Sequence, residues 1–217
     1  MDSSDNNPMN NRMRVSNTVN SFPQSPTWAQ GRVSLVWRRS LPWLLLLCLW
    51  FSGHQFAYAQ LKPGQAAPIF KAQAALAGQT FTFDLDAALA QGPVVVYFYP
   101  KAFTSGCTIE AQMFAQAIDE FKAQKTTVVG VSSDDIETLK KFSTGPCGGK
   151  FAVAADEDQS IMKAYDAALK IWPGVADRIS YAIAPDGSII DVYESLSPNE
   201  HVTRTLAAVT KWQASQR

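Results

Sequence analysis

Thr104, Cys107 and Glu110 stand three residues apart in one short stretch, Pro100-Lys101-Ala102-Phe103-Thr104-Ser105-Gly106-Cys107-Thr108-Ile109-Glu110. A thiol, a hydroxyl and a carboxylate at that spacing could do nucleophilic chemistry. Before them runs Val94-Val95-Val96-Tyr97-Phe98-Tyr99, whose β-branched and aromatic residues predict a buried strand. Pro100 ends it, and Ser105-Gly106 punctuate a loop. Beyond Cys107, Ile109, Met113, Phe114, Ala117, Ile118 and Phe121 recur on one helical face, which predicts a helix from about residue 108 to 122. Cys107 falls where a strand has ended and a helix begins.

The first turn of a helix offers unpaired N–H groups and the positive end of the dipole. An anion is favoured there, and a thiolate is an anion. A free thiol of pKa about 8.5 is only a few per cent ionised at pH 7. Bringing a thiol to about 6 takes roughly 3.4 kcal/mol of differential stabilisation, of which the dipole supplies about 1 kcal/mol. A reactive Cys107 therefore needs a further partner. After residue 59 the arginines are Arg178, Arg204 and Arg217. Arg178 opens an apolar strand pattern and is the candidate cation, since a permanently charged fork can stabilise both a thiolate and a developing oxyanion.

Pro100-x-x-x-Thr104-x-x-Cys107 followed by Thr108-x-Glu110-Ala111 resembles the active-site loop of the peroxiredoxins. The wording is closest to the Q-type group, also called bacterioferritin comigratory proteins. The resemblance runs from about Leu61 to Val209 and includes a Gly/Pro-rich opening at Leu61–Pro68. It implies an α/β chain of thioredoxin-like fold, with a mixed central sheet flanked by helices on both faces. It also implies thiol-dependent reduction of hydrogen peroxide and small organic hydroperoxides, with no metal or organic cofactor. On this resemblance Cys107 is the peroxidatic nucleophile, whose thiolate displaces one peroxide oxygen and becomes a sulfenic acid. Thr104 supplies a hydroxyl to the thiolate or the peroxide. Pro100 screens the pocket from water, Arg178 is the cation, and Glu110 orients Arg178 through paired hydrogen bonds. Each residue also has a purely structural reading: an inert buried cysteine, a turn-capping threonine, a turn proline, a strand-end arginine, a first-turn carboxylate serving the dipole.

Many Q-type members carry a second cysteine five residues after the nucleophile. Gln112 holds that place here. The remaining cysteine, Cys147, lies in a loop from 143 to 150 with Pro146, Gly148 and Gly149. The resemblance implies an intramolecular Cys107–Cys147 disulfide, recycled by a thioredoxin-like or other dithiol. Two rivals stay open. One is a one-cysteine mechanism in which Cys147 is idle. The other is a non-catalytic thioredoxin-fold binding domain with a structural Cys107–Cys147 bridge, which would add roughly 4 kcal/mol in the chain-entropy model.

The chain has 217 residues, enough for one domain with a proper core. Residues 1–59 stand apart. A polar stretch rich in Asn and Ser leads to Arg38-Arg39, then to the apolar run Leu41–Phe51, then to Ala57-Tyr58-Ala59. Basic flank, short apolar core and small-x-small site predict a secretory signal peptide cleaved after Ala59, leaving residues 60–217 as the domain. The run is short for a membrane span. Export to a bacterial periplasm is the expectation, with an organellar lumen or an uncleaved membrane anchor as the alternatives. The leader holds five of the 19 basic and two of the 19 acidic residues. The remaining 14 and 17 give net −3, so no basic face for nucleic acid is expected. A monomer is expected by analogy with Q-type relatives, and no stable membrane insertion is expected once the signal is cleaved.

Other chemistries thin out on spacing. A thioredoxin-like reductase needs C-x-x-C, and Glu110 holds the second place. A copper-delivery variant wants C-x-x-x-C, and Ala111 stands there. A cysteine protease needs a histidine base, and His201, the one histidine after the leader, opens a helix without a motif. Two cysteines and one histidine make no zinc site at these spacings. The remaining pattern predicts strands near 80–83, 126–131 and 151–154, a helix capped by Asp84, and helices near 134–142 and 159–167. It ends in a hairpin over 178–193 turning at Pro185-Asp186-Gly187 and a helix over about 199–213.

Overall fold

The computed structural model describes residues 61–216, so the expected leader and its cleavage site lie outside the described residues. Seven strands form one sheet: β1 (Lys71–Leu76), β2 (Gln79–Asp84), β3 (Val94–Phe98), β4 (Thr127–Ser132), β5 (Ala152–Ala155), β6 (Ile179–Ile183) and β7 (Ile189–Glu194), in the order β2-β1-β5-β4-β3-β6-β7. The pairs β3–β4 and β4–β5 are parallel, and the pairs β3–β6, β6–β7, β5–β1 and β1–β2 are antiparallel.

β3 is buried on both faces, and its side-chain alternation divides the core in two. Val94, Val96 and Phe98 face one layer, with Leu85 and Leu89 of α1 (Leu85–Leu89) and Ile161 and Met162 of α4 (Ser160–Ala164). Val95, Tyr97 and Tyr99 face the other, with Phe114 of α2 (Ser105–Ala123), Leu139 of α3 (Ile136–Thr144) and Val202 and Val209 of α5 (His201–Ser215). Side-chain caps fix two of the starts. Asp84 accepts from the amides of Asp86 and Ala87, and Asp135 from that of Thr138.

Several elements differ from expectation. β1 is unforeseen: its alanine-rich Lys71–Leu76 has weak strand propensity, and it forms because β2 and β5 pair with it on both sides. α2 starts at Ser105 rather than 108. Its first amides need no intrahelical partner, so Ser105 and Gly106, expected as loop, cost the first turn little. α4 ends at Ala164, short of 167, and Asp166 just beyond it is left-handed, at φ 50°. α5 begins at His201 after a 3-10 turn over Pro198–Glu200. Arg178, expected as the first strand residue, stands one place before β6.

Candidate active site

Strand register places the site. β3 pairs with parallel β4 at Phe98↔Val131 and with antiparallel β6 at Phe98↔Ile179. The end of β3, the end of β4 and the start of β6 therefore meet at one edge. From that edge the chain after β3 turns into α2 and presents Cys107, while the residue before β6 is Arg178. Seventy-one residues of separation become a contact: Nη2 of Arg178 lies 3.4 Å from Sγ of Cys107.

Cys107 sits in the first turn of α2, behind an extended N-cap at Thr104, and is 1% exposed. Gly106 makes the guanidinium's approach possible, because a Cβ there would stand 3.1 Å from Nη2 of Arg178. The rest of the guanidinium is held firmly. Nε donates to the carbonyl of Leu196 at 3.0 Å, and Nη1 donates to Oε2 of the fully buried Glu110. Burial works against the Arg178 charge, but Glu110 and Cys107 outweigh it and raise its pKa. Burial likewise pushes the Glu110 carboxyl up to about 8, although the neighbouring guanidinium pulls it down.

The structure thus brings Cys107, Arg178 and Glu110 together. Thr104 is exposed on the loop. Its hydroxyl donates to the Lys101 carbonyl at 2.9 Å, and its own carbonyl accepts from Thr108 N–H at 2.9 Å. Pro100 is half-buried where β3 gives way to that loop. Cys147 is fully buried beyond the end of α3. It shares a core cluster with Cys107, Tyr97 and Tyr99, and burial pushes its thiol well up. Both cysteines are free thiols. Gly148 and Gly149, which follow Cys147, have φ of 59° and 69°, a region that glycine enters without penalty.

Four features escaped the sequence reading. Asp134 clamps the loop before α2: its Oδ2 accepts from the amide of Ala102 at 2.7 Å and from the hydroxyl of Ser132 at 2.9 Å. Phe103, left-handed at φ 64°, packs edge-on against Phe142. Tyr97 and Tyr99 lie near both cysteines, and burial pushes both phenols well up. Tyr97 stacks on Phe114 at 4.4 Å, and a Cβ on Gly130 would collide with its ring. His201 is fully buried behind Glu110, with Nδ1 3.7 Å from Oε1. The one available signal for His201 was that it is the single histidine after the leader. Nothing near it in sequence pointed to a site some ninety residues away.

Comparison with known proteins is consistent across three levels. The family model described as AhpC/TSA family matches residues 63–192. "Peroxiredoxin Q, chloroplastic" from Populus jackii is 30% identical over 150 residues, 69% of this chain and 68% of its own length. "Peroxiredoxin Bcp" of Escherichia coli K12 is 33% identical over 114 residues, 50% of this chain and 72% of its own length. Among solved structures, peroxidoxin BcpB from Mycobacterium tuberculosis superposes with a TM-score of 0.64 at 25% identity, covering 70% of this chain and 98% of that one. The thioredoxin-like fold expected from sequence is the fold observed.

Proposed function

This chain belongs to the AhpC/TSA family, the peroxiredoxins, and is a thiol peroxidase; on that premise we propose that Cys107 is its peroxidatic cysteine. The observation that carries this reading is the Arg178 guanidinium on Cys107 Sγ at the first turn of a helix. The Cys107 thiolate attacks one oxygen of hydrogen peroxide or a small organic hydroperoxide. An S–O bond forms and the O–O bond breaks. The second oxygen leaves with the bonding pair as hydroxide or alkoxide and takes a proton from water. Sulfur is oxidised to sulfenic acid and the peroxide is reduced. Arg178 stabilises the negative charge at both stages, on sulfur and then on the leaving oxygen. Glu110 holds the guanidinium fork in place. Thr104 caps the loop and can turn its hydroxyl to the bound peroxide, while Pro100 limits water access.

Cys147 is the proposed resolving thiol. Its attack on the Cys107 sulfenic acid releases water and forms an intramolecular disulfide, which a thioredoxin-like dithiol then reduces. Because Cys147 is buried with its thiol pushed up, this step requires the Gly-rich loop to open. A one-cysteine cycle is the second reading, and the same burial favours it. Export with cleavage after Ala59 and a monomeric state complete the proposal. Amino-terminal sequencing of the secreted protein would find Gln60 first. The catalytic assignment is tested by Cys107→Ser, which should lose peroxide consumption altogether. Consumption undiminished in that variant would overturn it.

A further inference from the structure

The loop that holds Cys147 hangs from the last turn of α3. The Phe142 carbonyl accepts the Cys147 amide at 3.2 Å, and the Ser143 carbonyl accepts that of Gly149 at 2.8 Å. Whatever fixes this turn therefore fixes the depth of the second thiol. Phe142 is fully buried, and its ring is held by two others. Tyr99 stacks on it at 5.5 Å, and Phe103 meets it edge-on at 5.2 Å. Tyr99 follows directly on β3 and belongs to the rigid sheet edge. Phe103 comes from the loop that leads to Cys107, four residues before the thiol.

Phenylalanine is a costly choice for that backbone. At φ 64° residue 103 occupies the left-handed region, which penalises a Cβ and favours Gly or Asn. Such a conformation persists where its surroundings over-determine it. Two neighbours do so here. Asp134 holds the Ala102 amide at 2.7 Å, and the Thr104 carbonyl accepts the Thr108 amide of α2 at 2.9 Å. The ring itself is 52% exposed, so little burial keeps it in place, and relaxation of its backbone favours its departure. Any shift of the Cys107 loop that moves Ala102 or Thr104 also moves this ring. We propose that Phe103 is a positioning residue that ties the two cysteines together: seated on Phe142 it keeps Cys147 inside, and displacement of the Cys107 loop lifts it and lets the Cys147 loop open. The second thiol then stays sheltered for as long as the Cys107 loop is in place.

The step this tie serves rests on Cys147 being the resolving thiol, whereas release is read without peroxide, so the two can fail separately. In the full chain carrying Cys107→Ser, labelling of Cys147 by N-ethylmaleimide is followed at its own peptide by mass spectrometry. Phe103→Ala should speed that labelling about tenfold, the loss of one aromatic contact. Phe103→Tyr, which keeps the ring, should leave the rate near its starting value. Asp134→Ala frees the Ala102 amide, so it should also speed labelling, and it should add little once Phe103 is alanine. In Phe103→Ala, hydrogen exchange should rise over residues 143–150 and stay unchanged in β3 and β6, which separates local release from general loss of stability. An unchanged labelling rate in Phe103→Ala, or equal acceleration in the alanine and tyrosine variants, would overturn the proposal. Labelling that accelerates as expected, with no Cys107–Cys147 disulfide after peroxide in the protein with both thiols, would confirm the tie and overturn the resolving role of Cys147.

Discussion

Cys107 and Cys147 are both buried free thiols in one core cluster, yet their surroundings are opposites. Cys107 has a helix N-terminus and a guanidinium at 3.4 Å, and behind the guanidinium a carboxyl and an imidazole. Cys147 lies in a core cluster with the neutral phenols of Tyr97 and Tyr99, and burial alone pushes its thiol up. The same side chain is supplied with a counter-charge in one place and denied it in the other. On the proposed assignment, the fold holds one cysteine ready to attack and keeps the second silent until its loop opens. The first is built by strand register, which is rigid. The second is sheltered by a short glycine-containing turn.

The contrast can be broken from either side. The largest effect is expected from Cys147→Ser: one equivalent of peroxide is consumed at the normal rate, and steady turnover with a dithiol stops. Full multi-turnover activity would make Cys147 idle. Arg178→Met removes the cation from the reactive side. It should slow oxidation of Cys107 by about 10²–10³-fold in single-turnover mixing, while leaving the environment of Cys147 as it is. Next comes pH. Glu110 stands at about 8, above its ordinary 4.5, so the stability it contributes is full below the ordinary carboxylate range and lost as pH rises through 8. His201 stands at about 4, below 6.5, so its contribution is lost as pH falls through that window. Of these two groups only Glu110 acts above pH 6.5, and the measurement is made in a Cys107→Ser background so that the reactive thiol adds nothing of its own. Unfolding free energy should drop by about 1–2 kcal/mol between pH 6.5 and 8, and Glu110→Gln should flatten that slope in denaturant titrations. The smallest effect is Gly106→Ala. Its Cβ pushes the guanidinium by a few tenths of an ångström, so Cys107 oxidation should slow about threefold to tenfold.

The two regions were not equally legible in the sequence. The reactive side could be read because its parts are local. A β-branched strand, a proline, and a thiol followed by helical periodicity occupy one continuous stretch, and the fold class follows from strands alternating with helices. Arg178 was found as a candidate cation because few arginines remain after the leader. Its contact with Cys107 was not visible, since it depends on the Phe98↔Ile179 register. His201 and Asp134 were missed for the same reason. Their partners, Glu110 and Ala102, are distant in sequence, and only the assembled sheet edge brings them close. β1 was missed because alanines carry little strand signal. For Cys147, the loop could be located but its depth could not. Flanking glycines suggest an exposed turn, whereas Phe142, Phe151 and the two tyrosines bury the thiol.

Stopped-flow mixing of the reduced domain with hydrogen peroxide, followed by mass spectrometry of the quenched product, tests the central claim most directly. The account predicts rapid loss of the Cys107 thiol, then a slower loss of the Cys147 thiol as the loop opens, ending in a Cys107–Cys147 disulfide. A Cys107 thiol that reacts no faster than free cysteine would contradict it.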